Sequence, residues 1–201
     1  MPPSPAFPRP PAALHQPRGR WVRALGQAYL QLGGWRIEGA FPTEPKVVAI
    51  VAPHTSNWDF FLGLAILFAL EFRASWLGKH TLFRGPAKRL LLSLGGIPVD
   101  RRANRGVVDD CVGAFEAAPA LLLALAPEGT RKGAQRWRTG FYQIAAAAGV
   151  PILPVGFDFG RRTVHLMPVF HPTGNQDRDL PLIQDLFREV RGLRTRGPRT
   201  P

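Results

Sequence analysis

Two short runs, Val47 to Ala52 and Ala120 to Ala126, are apolar at every position. A strand with no polar face has to be covered on both sides, so each run reads as a buried strand rather than a surface one. The segments between and around them carry helical patterns. Trp21, Leu25, Ala28, Tyr29 and Leu32 fall near helical spacing, and Gly33-Gly34 ends that pattern. Trp58 to Phe72, Pro86 to Leu94, Arg105 to Ala118, Tyr142 to Ala148 and Leu180 to Arg194 read as further helices. Ser75 to Lys79, Ile97 to Val99 and Ile152 to Phe157 read as strands, and Thr163 to Pro168 as an edge strand. Strands alternating with helices predict an α/β fold: one domain with a mostly parallel or mixed central sheet, helices on its faces and an amphipathic helix at the N-terminus.

A chain of 201 residues suits one domain with a core of its own. Met1 to Pro17 is crowded with proline and lacks the apolar centre of a signal peptide, so a disordered lead is expected over 1–17. The domain follows over 18–195, with a flexible tail over 196–201. No internal repeat interrupts it. The longest apolar run, Phe60 to Leu70, falls short of the ~18 residues read as a membrane span. Cys111 is the single cysteine, which excludes an intramolecular disulfide. The five histidines are scattered and Cys111 has no C-x-x-C partner, so no metal site is expected. A formal charge of +12, carried mostly by arginine, suits nucleic acid, anionic lipid or phosphorylated substrates, or is simply a solvated basic surface.

Chemistry-bearing residues gather where buried strands end, which is where open α/β sheets bind ligands. After the strand Val47 to Ala52 comes Pro53-His54-Thr55-Ser56-Asn57-Trp58-Asp59. His54 there can act as a general base, with Asp59 holding one ring nitrogen so that the other faces a substrate hydroxyl. The same residues also read as a helix start, with Asp59 as a capping acid and His54 as an ordinary loop histidine. After Ala120 to Ala126 comes Pro127-Glu128-Gly129-Thr130-Arg131. Gly129 permits close backbone approach, Thr130 donates a hydrogen bond and Arg131 can grip a phosphate; the alternative is a plain polar turn. A third segment, Gly95-Gly96-Ile97-Pro98-Val99-Asp100-Arg101-Arg102, ends a short strand in cations, or in an Asp100–Arg101 surface pair.

Together these segments resemble the lysophospholipid/glycerolipid acyltransferase family, most closely its bacterial 1-acylglycerol-3-phosphate acyltransferases. His54 to Asp59 matches the family's H-x-x-x-x-D block, Gly95 to Arg101 its glycine-to-D-R block, and Pro127 to Arg131 its E-G-T-R block. Val150-Pro-Ile-Leu-Pro-Val155 looks like the fourth, structural block. The four stand in order over roughly residues 47 to 157. Pro53, Pro98 and Ala126 depart from the asparagine, aromatic and phenylalanine that are usual in the family at those places.

The resemblance implies transfer of a fatty acyl group from acyl-CoA or acyl-carrier protein to the hydroxyl of a lysophospholipid, with 1-acylglycerol-3-phosphate giving phosphatidic acid. It implies His54 and Asp59 as the catalytic pair. Arg101, Glu128, Gly129, Thr130 and Arg131 would hold the acceptor, while Lys79 would steady the developing oxyanion or is a plain surface lysine. No metal or bound cofactor is implied. The expected partner surface is an anionic membrane, reached peripherally from the cytoplasmic side, with the helix around Trp21 to Leu32 either lying in the interface or packed on the core. A transferase acting on another lysolipid, such as a lyso-ornithine lipid, satisfies the same blocks. A basic nucleic-acid-binding protein leaves all four unexplained, and a hydrolase would need a G-x-S-x-G elbow that is absent.

Overall fold

The structure, a computed structural model, describes residues 7–99, 104–129 and 137–194. Seven strands form one mixed sheet: β1 (Arg36–Gly39), β2 (Lys46–Ala52), β3 (Ser75–Lys79), β4 (Gly96–Val99), β5 (Leu121–Leu125), β6 (Ile152–Asp158) and β7 (Thr163–Leu166). Across the sheet they stand in the order β1-β7-β6-β2-β5-β3-β4. Every neighbouring pair is parallel except β6 with β7. The helices are α1 (Arg20–Leu32), α2 (Trp58–Leu70), α3 (Ala87–Ser93), α4 (Asn104–Ala117), α5 (Gly140–Ala148) and α6 (Gln176–Asp185).

Central strand β2 shows why its sequence is apolar throughout. Successive side chains of a strand point to opposite faces. Val47 and Ala49 enter a core shared with α1 and α2, whereas Val48 and Ile50 enter a second core shared with α4, α5 and α6. The run Phe60 to Leu70 is apolar all round for a related reason, since α2 lies between the sheet and α1. Gly26 lets α1 approach closely: a Cβ there would stand 2.6 Å from Ala69 N and 2.7 Å from Ala65 O. Pro98 falls on β4, an edge strand, where a missing N–H is tolerated.

Three expectations change. The strand beginning at Thr163 is not an edge, because β1 pairs outside it with Arg36 opposite Thr163. The closing helix starts at Gln176 and ends at Asp185, earlier than Leu180 to Arg194. Asn175 fixes its start by accepting the Arg178 N–H at 3.1 Å, and residues 190–194 then run back toward β6 and the loop after β2. The described part of the lead is also packed. Leu14 is buried in the α1–α2 core, a 3-10 turn spans Ala12–Leu14, and His15 bridges Phe72. The outermost parts of the expected lead and tail, 1–6 and 196–201, lie outside the described residues.

Candidate active site

In sheet order β2 and β5 are neighbours and run parallel, so the loops leaving their C-terminal ends emerge side by side. The first loop carries His54 and the second Glu128, which are 74 positions apart in the chain. The His54 backbone N–H donates to Glu128 Oε1 at 3.0 Å. The fold therefore brings two of the sequence's candidate segments into direct contact at the C-terminal ends of β2 and β5.

Within the first loop the geometry is tight. His54 Nδ1 lies 3.1 Å from Asp59 Oδ2, and the Asp59 side chain is almost wholly buried while that of His54 is 25% exposed. The same Oδ2 accepts the backbone N–H groups of Thr55 (2.8 Å) and Ser56 (2.9 Å). Ser56 Oγ in turn accepts the Trp58 N–H at 2.9 Å, which organises the first turn of α2. The capping and the ring-holding parts of Asp59 are thus served by one oxygen. Asp59 ties down the start of the helix and also fixes the imidazole. With Nδ1 turned to the carboxylate, Nε2 is the ring atom left to exchange a proton with a ligand.

Burial pushes the Glu128 carboxyl above its ordinary range, assisted by the nearby charge of Asp59 and opposed by the His54 N–H and the His54 ring. Sequence reasoning placed Glu128 among the substrate-holding residues. In the structure its Oε1 is engaged with the loop that carries His54. Gly129 follows with φ +63, in the left-handed region that glycine enters without strain.

A cavity of about 1350 Å³ borders this constellation. His54, Asp59 and Gly129 line it, together with apolar side chains that include Ala49, Val51, Leu64, Leu67, Leu122 and Phe157. Arg138 lines it as well, a residue that the sequence counted only toward the charge. Its signal was its place, directly before α5 and after the E-G-T-R segment, but nothing local showed that it would fold back onto that segment. Lys79 ends β3 opposite Val99 of β4, on the strand next to β5, and only its backbone is described. Arg101, Thr130 and Arg131 lie outside the described residues. Among the described residues no three His, Cys, Asp or Glu side chains converge as a metal-binding group.

Set against known proteins, this chain is matched over residues 36–158 by a family model described as Acyltransferase. That stretch runs from β1 to the end of β6 and contains the whole constellation just described. Among solved structures it is similar to the crystal structure of the 1-acyl-sn-glycerophosphate (LPA) acyltransferase, PlsC, from Thermotoga maritima. The TM-score is 0.58 and the identity 17%, covering 88% of this chain and 80% of that one, so the likeness is one of fold. No curated protein matches at a significant level.

Proposed function

This chain belongs to the acyltransferase family, and from that premise we propose that it moves a fatty acyl group from a thioester donor to the free hydroxyl of a lysophospholipid. The favoured acceptor is 1-acylglycerol-3-phosphate, and the donor is acyl-CoA or acyl-carrier protein. The observation that carries the reading is the 3.1 Å contact of His54 Nδ1 with buried Asp59, set beside a largely apolar cavity. That cavity exceeds the ~300–1,000 Å³ of ordinary small-ligand pockets, which suits a long flexible chain.

In this scheme His54 Nε2 takes the proton of the acceptor hydroxyl while its oxygen attacks the thioester carbonyl. The tetrahedral intermediate expels the thiolate, which recovers the proton from Nε2 and leaves as thiol. His54 returns to its neutral form, and no acyl-enzyme is formed. Asp59 stabilises the transient imidazolium and holds its orientation. Glu128 keeps the loop in register through the His54 N–H. Arg101, Thr130 and Arg131 complete the acceptor site, with Lys79 near the oxyanion, and the scheme needs neither metal nor bound cofactor.

The lipid substrates reside in a bilayer. Among the described residues no helix is long and apolar enough to cross one. Support for peripheral docking comes from α1, whose outer stripe leaves Trp21, Leu25 and Leu32 at 76%, 66% and 88% exposure. Arg20 and Arg23 on the same helix, and a formal charge of +12, favour an anionic surface.

The test is to incubate purified protein with anionic vesicles, 1-acylglycerol-3-phosphate and oleoyl-CoA or oleoyl-carrier protein, and to read lipids by mass spectrometry. Phosphatidic acid is the expected product. A folded protein that acylates no member of a lysolipid panel from either donor overturns the proposal.

A further inference from the structure

We propose that Arg138 binds the phosphate of the acceptor, held on the wall of the His54 cavity by its packing across Gly129; this rests on the acyl-transfer reading above. Its backbone N–H donates to Pro127 O at 2.7 Å, which brings Arg138 back against the strand-end segment it follows in sequence. The side chain then lies over the bare Cα of Gly129. A Cβ at that position would stand 2.7 Å from Arg138 Cδ and Nε and 3.4 Å from Cζ. Glycine is favoured here by its positive φ, and the exposed arginine stem takes up the space a Cβ would fill. The next residue back, Glu128, accepts the His54 backbone N–H, so the segment that Arg138 packs on also holds the His54 loop.

Arg138 is exposed and lines the same cavity as His54. Its guanidinium makes no ion pair or hydrogen bond with a described residue. Some other arginines are occupied, among them Arg23 with Glu71 at 3.4 Å, Arg161 with Glu189 at 3.5 Å, and Arg162 with Gly33 O at 2.8 Å; what sets Arg138 apart among the described arginines is its place on the cavity wall. The carboxylate next to Gly129 in sequence, Glu128, uses Oε1 on the His54 loop. A cation left open on a mostly apolar cavity wall calls for an anionic ligand, and the planar guanidinium fork matches a phosphate. Two substrates carry phosphate esters. In the acceptor the phosphate sits on the carbon next to the one bearing the reactive hydroxyl. In the donor it is separated from the thioester by the pantetheine arm. A cation packed on the segment that holds the His54 loop fits the acceptor.

Steady-state kinetics of Arg138→Gln and Arg138→Lys, with each substrate varied at saturating levels of the other, tests this. The acceptor KM should rise at least ~10-fold in Arg138→Gln, the scale of a lost charge-assisted hydrogen bond, and recover in part in Arg138→Lys. A rise confined to the donor KM, or no rise in either, overturns the assignment. Inorganic phosphate should also raise the melting temperature of wild type and leave that of Arg138→Gln unmoved. Equal protection of both proteins counts against the proposal even for a preparation without turnover. A wild type that is protected by phosphate yet acylates no lysolipid contradicts the acyl-transfer reading instead.

Discussion

Asp59 Oδ2 receives His54 Nδ1 and the N–H groups of Thr55 and Ser56. Those donors replace water at Oδ2, while Oδ1 is buried with no hydrogen-bond partner among the described residues. The arrangement was legible in the sequence because it is local: five positions separate base and acid, and the apolar runs on either side announce a strand end and a helix start. Glu128 was legible as a candidate, but its contact with the His54 loop was not. Its partner lies 74 positions away and meets it only because β2 and β5 are neighbours. Its environment has a measurable consequence. A folded-state pKa raised by burial means that the folded protein holds this proton more tightly than the unfolded chain does. The contribution of Glu128 to stability is therefore fully present below the ordinary value of 4.5, and is lost as pH rises through the folded value. Glu128→Gln keeps an acceptor oxygen and loses this dependence. Its melting temperature should gain on wild type between about pH 4 and about pH 8. A gap that stays constant or narrows over that range counts against a buried, charge-disfavouring site.

At the scale of elements, α1 and α2 pack through a glycine contact. The sequence left two readings of α1 open, interfacial or packed on the core, and the structure packs one face on the core and leaves apolar side chains exposed on another. Gly26 and Leu30 are buried against the body while Trp21, Leu25 and Leu32 stay outside. Gly26→Ala removes a helix-weakening glycine, but it sets a methyl 2.6–2.8 Å from Ala69 N, Ala65 O and Phe68 Cβ, two of which are backbone atoms. Overpacking should win, at about 1–3 kcal/mol, read as a lower denaturation midpoint. A variant at least as stable as wild type would show that the helices do not meet this closely. What the sequence hid at this scale has physical causes. β1 is four residues long with Ile37 as its one large apolar side chain, too little for a strand pattern. Helix α6 begins with a polar turn, and its start depends on the Asn175 cap. Residues 7–17 looked like a proline-rich lead, but Leu14 finds a core pocket that only the assembled α1–α2 pair creates.

The whole molecule combines a basic surface, an exposed apolar stripe on α1 and a cavity bordering the His54 loop. Removing α1 altogether is a poor probe of docking, since Leu14 and Leu30 belong to the core. The combined Trp21→Ser, Leu25→Ser and Leu32→Ser variant leaves those contacts in place. Cosedimentation with anionic vesicles should fall at least ~10-fold in the variant, and should weaken for wild type as salt rises. Binding indifferent to both changes contradicts docking through this face. The central claim is nearer the chemistry, that His54 is the base of a direct acyl transfer. The measurement that tests it most directly is the rate of lysolipid acylation on vesicles by wild type and by His54→Ala, with circular dichroism confirming that both are folded. A loss of at least ~10²-fold is expected in the variant, the lower bound for removing a general base. A folded His54→Ala protein turning over at close to the wild-type rate would contradict it.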